Sequence, residues 1–301
     1  MPELLSIFLN VITPVFLLVL IGYLVGPPLG IETQSVSRVA YYILTPAFTF
    51  NLFSTSNIDL VAASQMGIYI VSVTTICVAV CFVITRILRC SAEMTAAYIL
   101  ITAFGNVGNF GLPIIQFRLG EEALLPAAIY FLVLSFYGFL VGVFSASLHK
   151  GGGFGALFSV FKTPAILAVF PAILVSQLNL TVPLFIERST GLLADAMIPV
   201  MLLTLGIQLS SVGRISLDRD VFVASMVRLV IGPVVAIALA VPLGITEIER
   251  GAGILQASMP TAVLAVLIAM EHDLMPTFVT KAVLFSTVVS MVTLTIVLTI
   301  I

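Results

Sequence analysis

The sequence predicts an all-α membrane protein of ten transmembrane helices, arranged as two inverted five-helix repeats. Apolar residues make up 60% of the 301 residues, charged residues only 9%, and the mean hydropathy is +1.25. Soluble domains carry about 25% charged residues, whereas a surface that faces lipid must lack them. The apolar residues also fall into stretches of about 20 residues, the length that crosses a bilayer. Helices 4 and 9 are predicted to be broken and to cross near the midplane.

Charges, glycines and prolines separate the ten stretches. The predicted spans are 4–26, 35–55, 61–88, 95–117, 123–148, 158–179, 188–210, 220–243, 248–270 and 275–300. No long hydrophilic segment interrupts them, and the longest loop candidate is the glycine-rich stretch 149–155. The chain begins Met-Pro-Glu without a basic region or a cleavage pattern, so we expect the first span to stay in the membrane.

An internal repeat divides the chain into 1–150 and 151–301. Four sets of residues recur at similar offsets: Thr13-Pro14 with Thr163-Pro164, Pro46 with Pro199, Ile99-Leu100 with Ile254-Leu255, and Leu124 and Pro126 with Leu274 and Pro276. Because five spans per half is an odd number, the second half must insert in the opposite orientation. An inverted-topology repeat of this kind is typical of secondary transporters.

Basic residues near the span ends predict the orientation, since short cytoplasmic loops collect Lys and Arg. One face carries Arg38, Arg86, Arg89, Lys150, Lys162, Arg214, Arg219, Arg228 and Lys281, and the other carries Arg118, Arg188 and Arg250. This distribution predicts a multi-pass protein of the cell (inner) membrane with both termini outside the cytoplasm.

Composition excludes several kinds of partner. The net charge of −2 argues against a nucleic-acid binder. Cys77, Cys81 and Cys90 are interpreted as packing residues and a loop-edge thiol, not as a disulfide or metal framework. His149 and His272 lack metal-ligand spacing, so the sequence predicts no metal and no cofactor.

The most informative segment is 104–113, which reads FGNVGNFGLP in the middle of the fourth span. Three glycines, two asparagines and a proline are unsuited to a continuous helix. Within a bilayer, unwound backbone persists only where protein or a water-filled cavity satisfies its polar groups. We therefore expect two half-helices, the second starting near Leu112-Pro113 with proline at a favoured position.

The ninth span has a segment in the equivalent place, 256–261, which reads QASMPT. We expect a milder break here, with Pro260 opening the second half-helix and Ser258 available as its cap. The positive ends of both second half-helices would then converge on one region and form an anion site. The alternative is that the glycines only allow close packing and the prolines only kink the helices.

The predicted substrate site lies at these two breaks. Its candidate residues are Asn106, Gly108, Asn109, Pro113, Ser258, Pro260, Thr261 and, from the second span, Asn51. Asparagine suits such a place because it is neutral, yet it can donate to a carboxylate or coordinate a cation. We favour Asn109 over Asn106, since Asn109 lies closer to the helix start at Pro113.

Other polar residues inside the spans leave two interpretations open. Asp195 is the candidate for coupling to an ion, or else an acid paired with Arg118, Arg188 or Arg250 near the interface. Thr49 and Gln208 either face the substrate cavity or form hydrogen bonds between helices. Arg228 and Lys281 either extend toward the cytoplasm or hold a substrate carboxylate.

Three segments resemble the auxin efflux carrier family in its bacterial permease branch. They are 105–113 (GNVGNFGLP), 37–47 (SRVAYYILTPA) and the run 259–287. The resemblance implies a ten-span fold related to bile acid/sodium symporters, with a scaffold of helices 1, 2, 6 and 7. Helices 3–5 and 8–10 would form a transport domain that moves like an elevator. It also implies organic anions as substrates, auxins in plants and small dicarboxylates in some bacterial members.

The sequence therefore predicts a secondary transporter of small organic anions, auxin-like or mono- and dicarboxylate. Its partners would be that anion and the lipid bilayer, with proton or sodium coupling and a homodimer left open. Serine-hydrolase and His-Glu-x-x-His motifs are absent, which argues against a membrane-embedded enzyme. No segment resembles a channel filter. The alternatives are a receptor or sensor without transport, and a sodium-coupled carrier of a different organic solute.

Overall fold

The computed structural model describes the backbone of residues 2–150, 163–211 and 218–301. Within these ranges the chain is helical and contains no strand. We number the helices α1 (2–25), α2 (33–55), α3 (Leu60–Ile87), α4 (Ala92–Ala103), α5 (107–119), α6 (Leu124–Lys150), α7 (Pro164–Gln177), α8 (Leu184–Ser211), α9 (Arg219–Ala240), α10 (Glu247–Ala257), α11 (Leu264–Glu271) and α12 (Pro276–Val297).

The helices coincide with the ten predicted stretches, with α4 and α5 sharing the fourth and α10 and α11 sharing the ninth. Every described end lies within four residues of its prediction except the start of α7, which is at Pro164 and not at 158. The start of the sixth stretch, 158–162, lies outside the described residues, as do Lys162 and Arg214. In the described part, six helices are long and apolar enough to cross a membrane: α1, α3, α6, α8, α9 and α12. Helices α4 and α7 are apolar but shorter.

Within the described residues, four helices contain a π-helical turn just before a proline. These turns are Phe8–Ile12, Ala40–Leu44, Val107–Gly111 and Val227–Ile231, followed by Pro14, Pro46, Pro113 and Pro233. A proline ring collides with the carbonyl four residues earlier, and a wider turn relieves that collision. Thr13 and Thr45 bond the carbonyls of Phe8 and Ala40 through their hydroxyl groups, each at 2.8 Å. The turns therefore have a local sequence cause.

Helices α1, α2, α7 and α8 pack against one another, and we call them the α1 group. Helix α8 lies very close to α1, because a Cβ atom on Gly206 would overlap the backbone carbonyl of Val19. A Cβ on Gly22 would likewise meet the carbonyl of Leu203. Glycine at these positions allows the two helix backbones to touch.

The remaining helices, α3–α6 and α9–α12, form the crossover group. The phenol of Tyr69 on α3 donates to the Ala236 carbonyl of α9 at 3.0 Å. The phenol of Tyr98 on α4 donates to Asp220 of α9 at 3.0 Å. These bonds tie helices of the first half of the chain to helices of the second half.

Candidate functional site

The breaks between α4 and α5 and between α10 and α11 lie side by side. The backbone N–H of Asn106 donates to the Pro260 carbonyl at 2.7 Å, and that of Ala262 donates to the Phe104 carbonyl at 2.8 Å. Gly105 and Thr261 thereby pair as in an antiparallel sheet. We call residues 104–106 and 258–263 the crossover. Each break supplies the hydrogen bonds that the other lost by leaving the helix.

The second half-helix of the first break begins as predicted. Regular α-helix starts at Leu112 with Pro113 in its first turn, after the π-helical turn Val107–Gly111. The carbonyl of Asn106 accepts from the N–H groups of Phe110 and Gly111, at 3.3 and 3.0 Å. The N–H groups that precede them have no earlier helical turn to bond, so this end of α5 remains a donor surface.

The second break differs from our expectation in three ways. Helix α11 starts at Leu264, so Pro260 does not open it. The Ser258 hydroxyl donates to the Ile254 carbonyl at 2.6 Å and does not cap the following helix. The break covers six residues and is therefore not the milder one. The pairing with 104–106 holds this segment extended, which prevents the helix from starting at the proline.

The backbone donors of the second break are largely engaged. The N–H of Thr261 donates to the Ser286 hydroxyl, and the Thr261 hydroxyl donates to the Ile101 carbonyl, both at 3.2 Å. The N–H groups of Ala262, Ala265 and Val266 also have backbone acceptors. Donors for an anion must therefore come mainly from the α5 side, not equally from both.

Two buried polar atoms without a described partner lie at or beside the crossover. The side chain of Asn106 is 5% exposed, and its Nδ2 amide has no hydrogen-bond partner among the described residues. The same holds for Oε1 of Gln256, whose Nε2 donates to the Ala127 carbonyl at 3.1 Å. Orphaned atoms are costly in a protein interior, and a bound polar group would satisfy them.

The other predicted residues of the fourth span take different positions. Asn109 is half-buried on the π-helical turn, next to Phe110, which packs edge-on against Phe16 of α1 at 5.2 Å between ring centroids. Gly108 faces α6, because a Cβ there would come within 2.9 Å of the Phe131 ring. Gly108 thus provides room for helix packing.

Arg228 does not extend toward the cytoplasm. It is 5% exposed and donates to three backbone carbonyls of the crossover region. Lys281, by contrast, forms an ion pair with Asp218 at 2.8 Å. Arg228 therefore lies at the crossover and is not one of the basic residues at a membrane face.

A second candidate region is a cavity of about 540 Å³ between the α1 group and helices α5 and α6. It contains Asn51 and Asp195, together with Gln116 and Glu121, which the sequence analysis did not select. Gln116 donates to Glu121 at 2.6 Å. The structure therefore brings Asn51 and Asp195 together, but it does not place them among the crossover residues.

Two further polar residues of the α1 group are explained by packing. Gln208 donates to the Ser37 hydroxyl at 3.1 Å, a bond between α8 and α2. Thr49 is 3% exposed. Of the two histidines, His272 follows α11, and the side chain of His149 lies outside the described residues. No group of three or more metal-ligating side chains occurs in the described part of the chain.

The chain belongs to the family described as membrane transport protein, the auxin efflux carrier family, whose sequence model matches residues 7–149 and 154–298. It is therefore a transporter and not an enzyme. The resemblance seen in the sequence is confirmed.

Similar proteins support this assignment over nearly the whole chain. An uncharacterized transporter of Methanocaldococcus jannaschii is 25% identical over 94% of this chain and 95% of its own length. A Rhizobium meliloti protein named "Putative malonate transporter" is 25% identical over 95% of this chain and 93% of its own. The Arabidopsis thaliana auxin efflux carrier component 1 is 25% identical over 38% of this chain and 18% of its own.

Proposed function

We propose that this protein carries small mono- or dicarboxylates across the cell membrane and binds them at the crossover. The buried, unpartnered amide of Asn106 is the observation that carries this proposal. It lies at the start of α5, where helix N–H groups and the helix dipole favour a negative charge. A relative named for malonate transport makes a dicarboxylate the first substrate to test.

The two groups of helices support an alternating-access mechanism. We propose that the ten predicted spans form two inverted repeats, with the α1 group as a scaffold and the crossover group as the moving unit. Contacts between the groups include α5 with α1 and α8, and α2 with α6. A substrate held beside the π-helical turn of α5 would lie next to this boundary, so an elevator-like shift of the crossover group would carry it across.

The proposal is tested by a thermal-shift screen of the purified protein against mono- and dicarboxylates, with and without sodium. Ligand binding to the folded state raises the unfolding temperature by mass action. We expect malonate or a close analogue to raise it in proportion to log concentration. A screen in which uncharged solutes raise the temperature and carboxylates do not would refute the anion assignment.

Asp195 is the proposed proton-coupling residue, because the cavity places it with a second acid, Glu121. An anion approaching two carboxylates is repelled unless one of them takes up a proton or another cation. We expect Asp195→Asn to abolish the pH dependence of malonate uptake into proteoliposomes while malonate still shifts the unfolding temperature. Ser189→Ala, an exposed change on the same helix, serves as the control. Retained pH dependence in Asp195→Asn assigns that residue a structural role.

We also propose that both termini lie outside the cytoplasm. When the buried Arg228 is left out, eight basic residues lie on the proposed cytoplasmic face and three lie on the other face. The natural thiol of Cys90, between α3 and α4, should then be cytoplasmic, and a cysteine introduced at Asn57 in a Cys90→Ser background should be external.

A membrane-impermeant maleimide applied to intact cells should label the Asn57→Cys variant and spare Cys90. Burial raises the pKa of the Cys90 thiol, so permeabilised controls are labelled at alkaline pH to ensure reaction. Labelling of both cysteines from outside contradicts the proposed topology.

A further inference from the structure

Arg228 carries a charge where a membrane protein rarely places one. It lies in the π-helical turn Val227–Ile231 of α9 and is 5% exposed. Burying a guanidinium is costly unless nearby groups compensate its charge, and such residues in membrane spans mark functional sites. The compensating groups here are backbone carbonyls.

The guanidinium joins the two breaks. Its Nε donates to the Met259 carbonyl at 2.8 Å, and its Nη1 donates to the Thr102 carbonyl at 2.9 Å. Its Nη2 lies 3.5 Å from the Gln256 carbonyl. Thr102 and Gln256 belong to the last turns of α4 and α10, which carry the negative ends of those helix dipoles. One cation therefore compensates both ends.

Gly105 makes room for this charge. A Cβ atom at that position would overlap Nη2 of Arg228. The guanidinium consequently lies against the backbone next to Asn106, whose amide has no partner among the described residues. The neighbouring spans repeat at offsets of 153 and 155, which place residues 73–75 (Val-Thr-Thr) opposite Arg228, so the first half supplies no second charge there.

No carboxylate forms an ion pair with Arg228 in the described part of the chain. Its ionisable neighbours are Tyr130 and Cys77, a phenol and a thiol, and neither is a carboxylate. A guanidinium has five N–H donors, and the three carbonyls take three of them. Carbonyl dipoles orient the charge but do not cancel it.

We propose that Arg228 is a resident cation of the crossover, a positioning residue that holds the two breaks together and whose fixed charge selects a carboxylate at Asn106. In other transporters with broken helices, backbone carbonyls at the helix breaks coordinate an inorganic cation. In this protein, carbonyls in the same kind of position accept hydrogen bonds from Arg228. The selectivity part rests on the proposed function, whereas the role in joining the breaks does not.

The first test needs no substrate. Arg228→Ala should have a lower unfolding temperature than the wild type, and millimolar guanidinium chloride should restore part of the loss. Urea, which has a similar shape but no charge, should not restore it. Neither wild type nor Arg86→Ala, which removes an exposed arginine, should gain from guanidinium. Absence of rescue in Arg228→Ala, or equal rescue by urea, overturns the resident-cation role whatever the substrate is.

The second test measures selectivity by thermal shift with malonate and its uncharged diamide. We expect the ratio of their affinities to fall at least tenfold in Arg228→Ala and to be kept in Arg228→Lys, which retains the charge. If Arg228→Ala does not fold, the Arg228→Lys variant alone tests the role of the charge. Loss of the preference for malonate over its diamide in that variant would overturn this role. If the wild type binds no carboxylate, the proposed function fails, and the guanidinium rescue still tests the joining role.

Discussion

Asn106→Ala is expected to weaken carboxylate binding by about 10- to 150-fold, because a hydrogen bond to a charged ligand is worth on the order of 1.5–3 kcal/mol. The buried Nδ2 of Asn106 has no partner among the described residues, so its removal breaks no bond within that part of the protein. The unfolding temperature without ligand should therefore change little or rise.

The same titration with Asn109→Ala and Asn57→Ala separates the contributions. Asn109 is half-buried beside the crossover, and the sequence analysis favoured it over Asn106. Asn57 is exposed in the connection between α2 and α3, away from the crossover, and serves as the control. We expect the loss at Asn106 to be the larger, because its amide is more fully desolvated. Equal affinity in the Asn106 variant and the control would place the substrate elsewhere.

Gly206→Ala is expected to destabilise the folded protein strongly. The added methyl group would overlap the Val19 carbonyl and approach the Tyr23 nitrogen at 2.7 Å, and both are backbone atoms of α1. Overpacking lowers the free energy of unfolding by about 1–3 kcal/mol when side chains can move aside. Two helix backbones in direct contact can move aside less easily than side chains can. The α1 group would have to separate, with a clear drop in unfolding temperature.

Gly67→Ala provides the matched control for that change. Gly67 lies within α3, and a Cβ there meets nothing within 4 Å. Alanine in a helix interior is favoured over glycine by roughly 0.5–1 kcal/mol. We expect this variant to be as stable as the wild type or slightly more so. A Gly206→Ala protein that unfolds at the wild-type temperature would show that α1 and α8 do not pack this closely.

The helices and the first break followed from the sequence because their causes are local. Apolar stretches determine where the helices lie, and the run of glycine and asparagine residues before Pro113 determines where α4 ends. In the second break, the start of the following half-helix was predicted incorrectly, since Pro260 marks a favoured helix start only when its backbone is free to adopt the helical conformation. Here its carbonyl is held by Asn106, which lies far away in the chain.

The roles of Arg228 and Gln256 could not be read from the sequence for the same reason. An arginine two to three turns inside a helix has the same local pattern whether it extends to the interface or turns inward. The direction is decided by carbonyls of two other helices. A glycine such as Gly105, which leaves room for a side chain from another helix, was visible only as a helix breaker.

If the crossover binds a small organic anion and carries it across the membrane, the protein should exchange that anion between the two sides. Counterflow of labelled malonate into proteoliposomes tests this most directly, with wild type and Asn106→Ala reconstituted side by side. We predict uptake by the wild type that saturates with concentration and depends on unlabelled malonate inside. Asn106→Ala should need at least tenfold more malonate for the same rate. Uptake that rises linearly without saturation, or malonate binding without any uptake, would contradict a carrier.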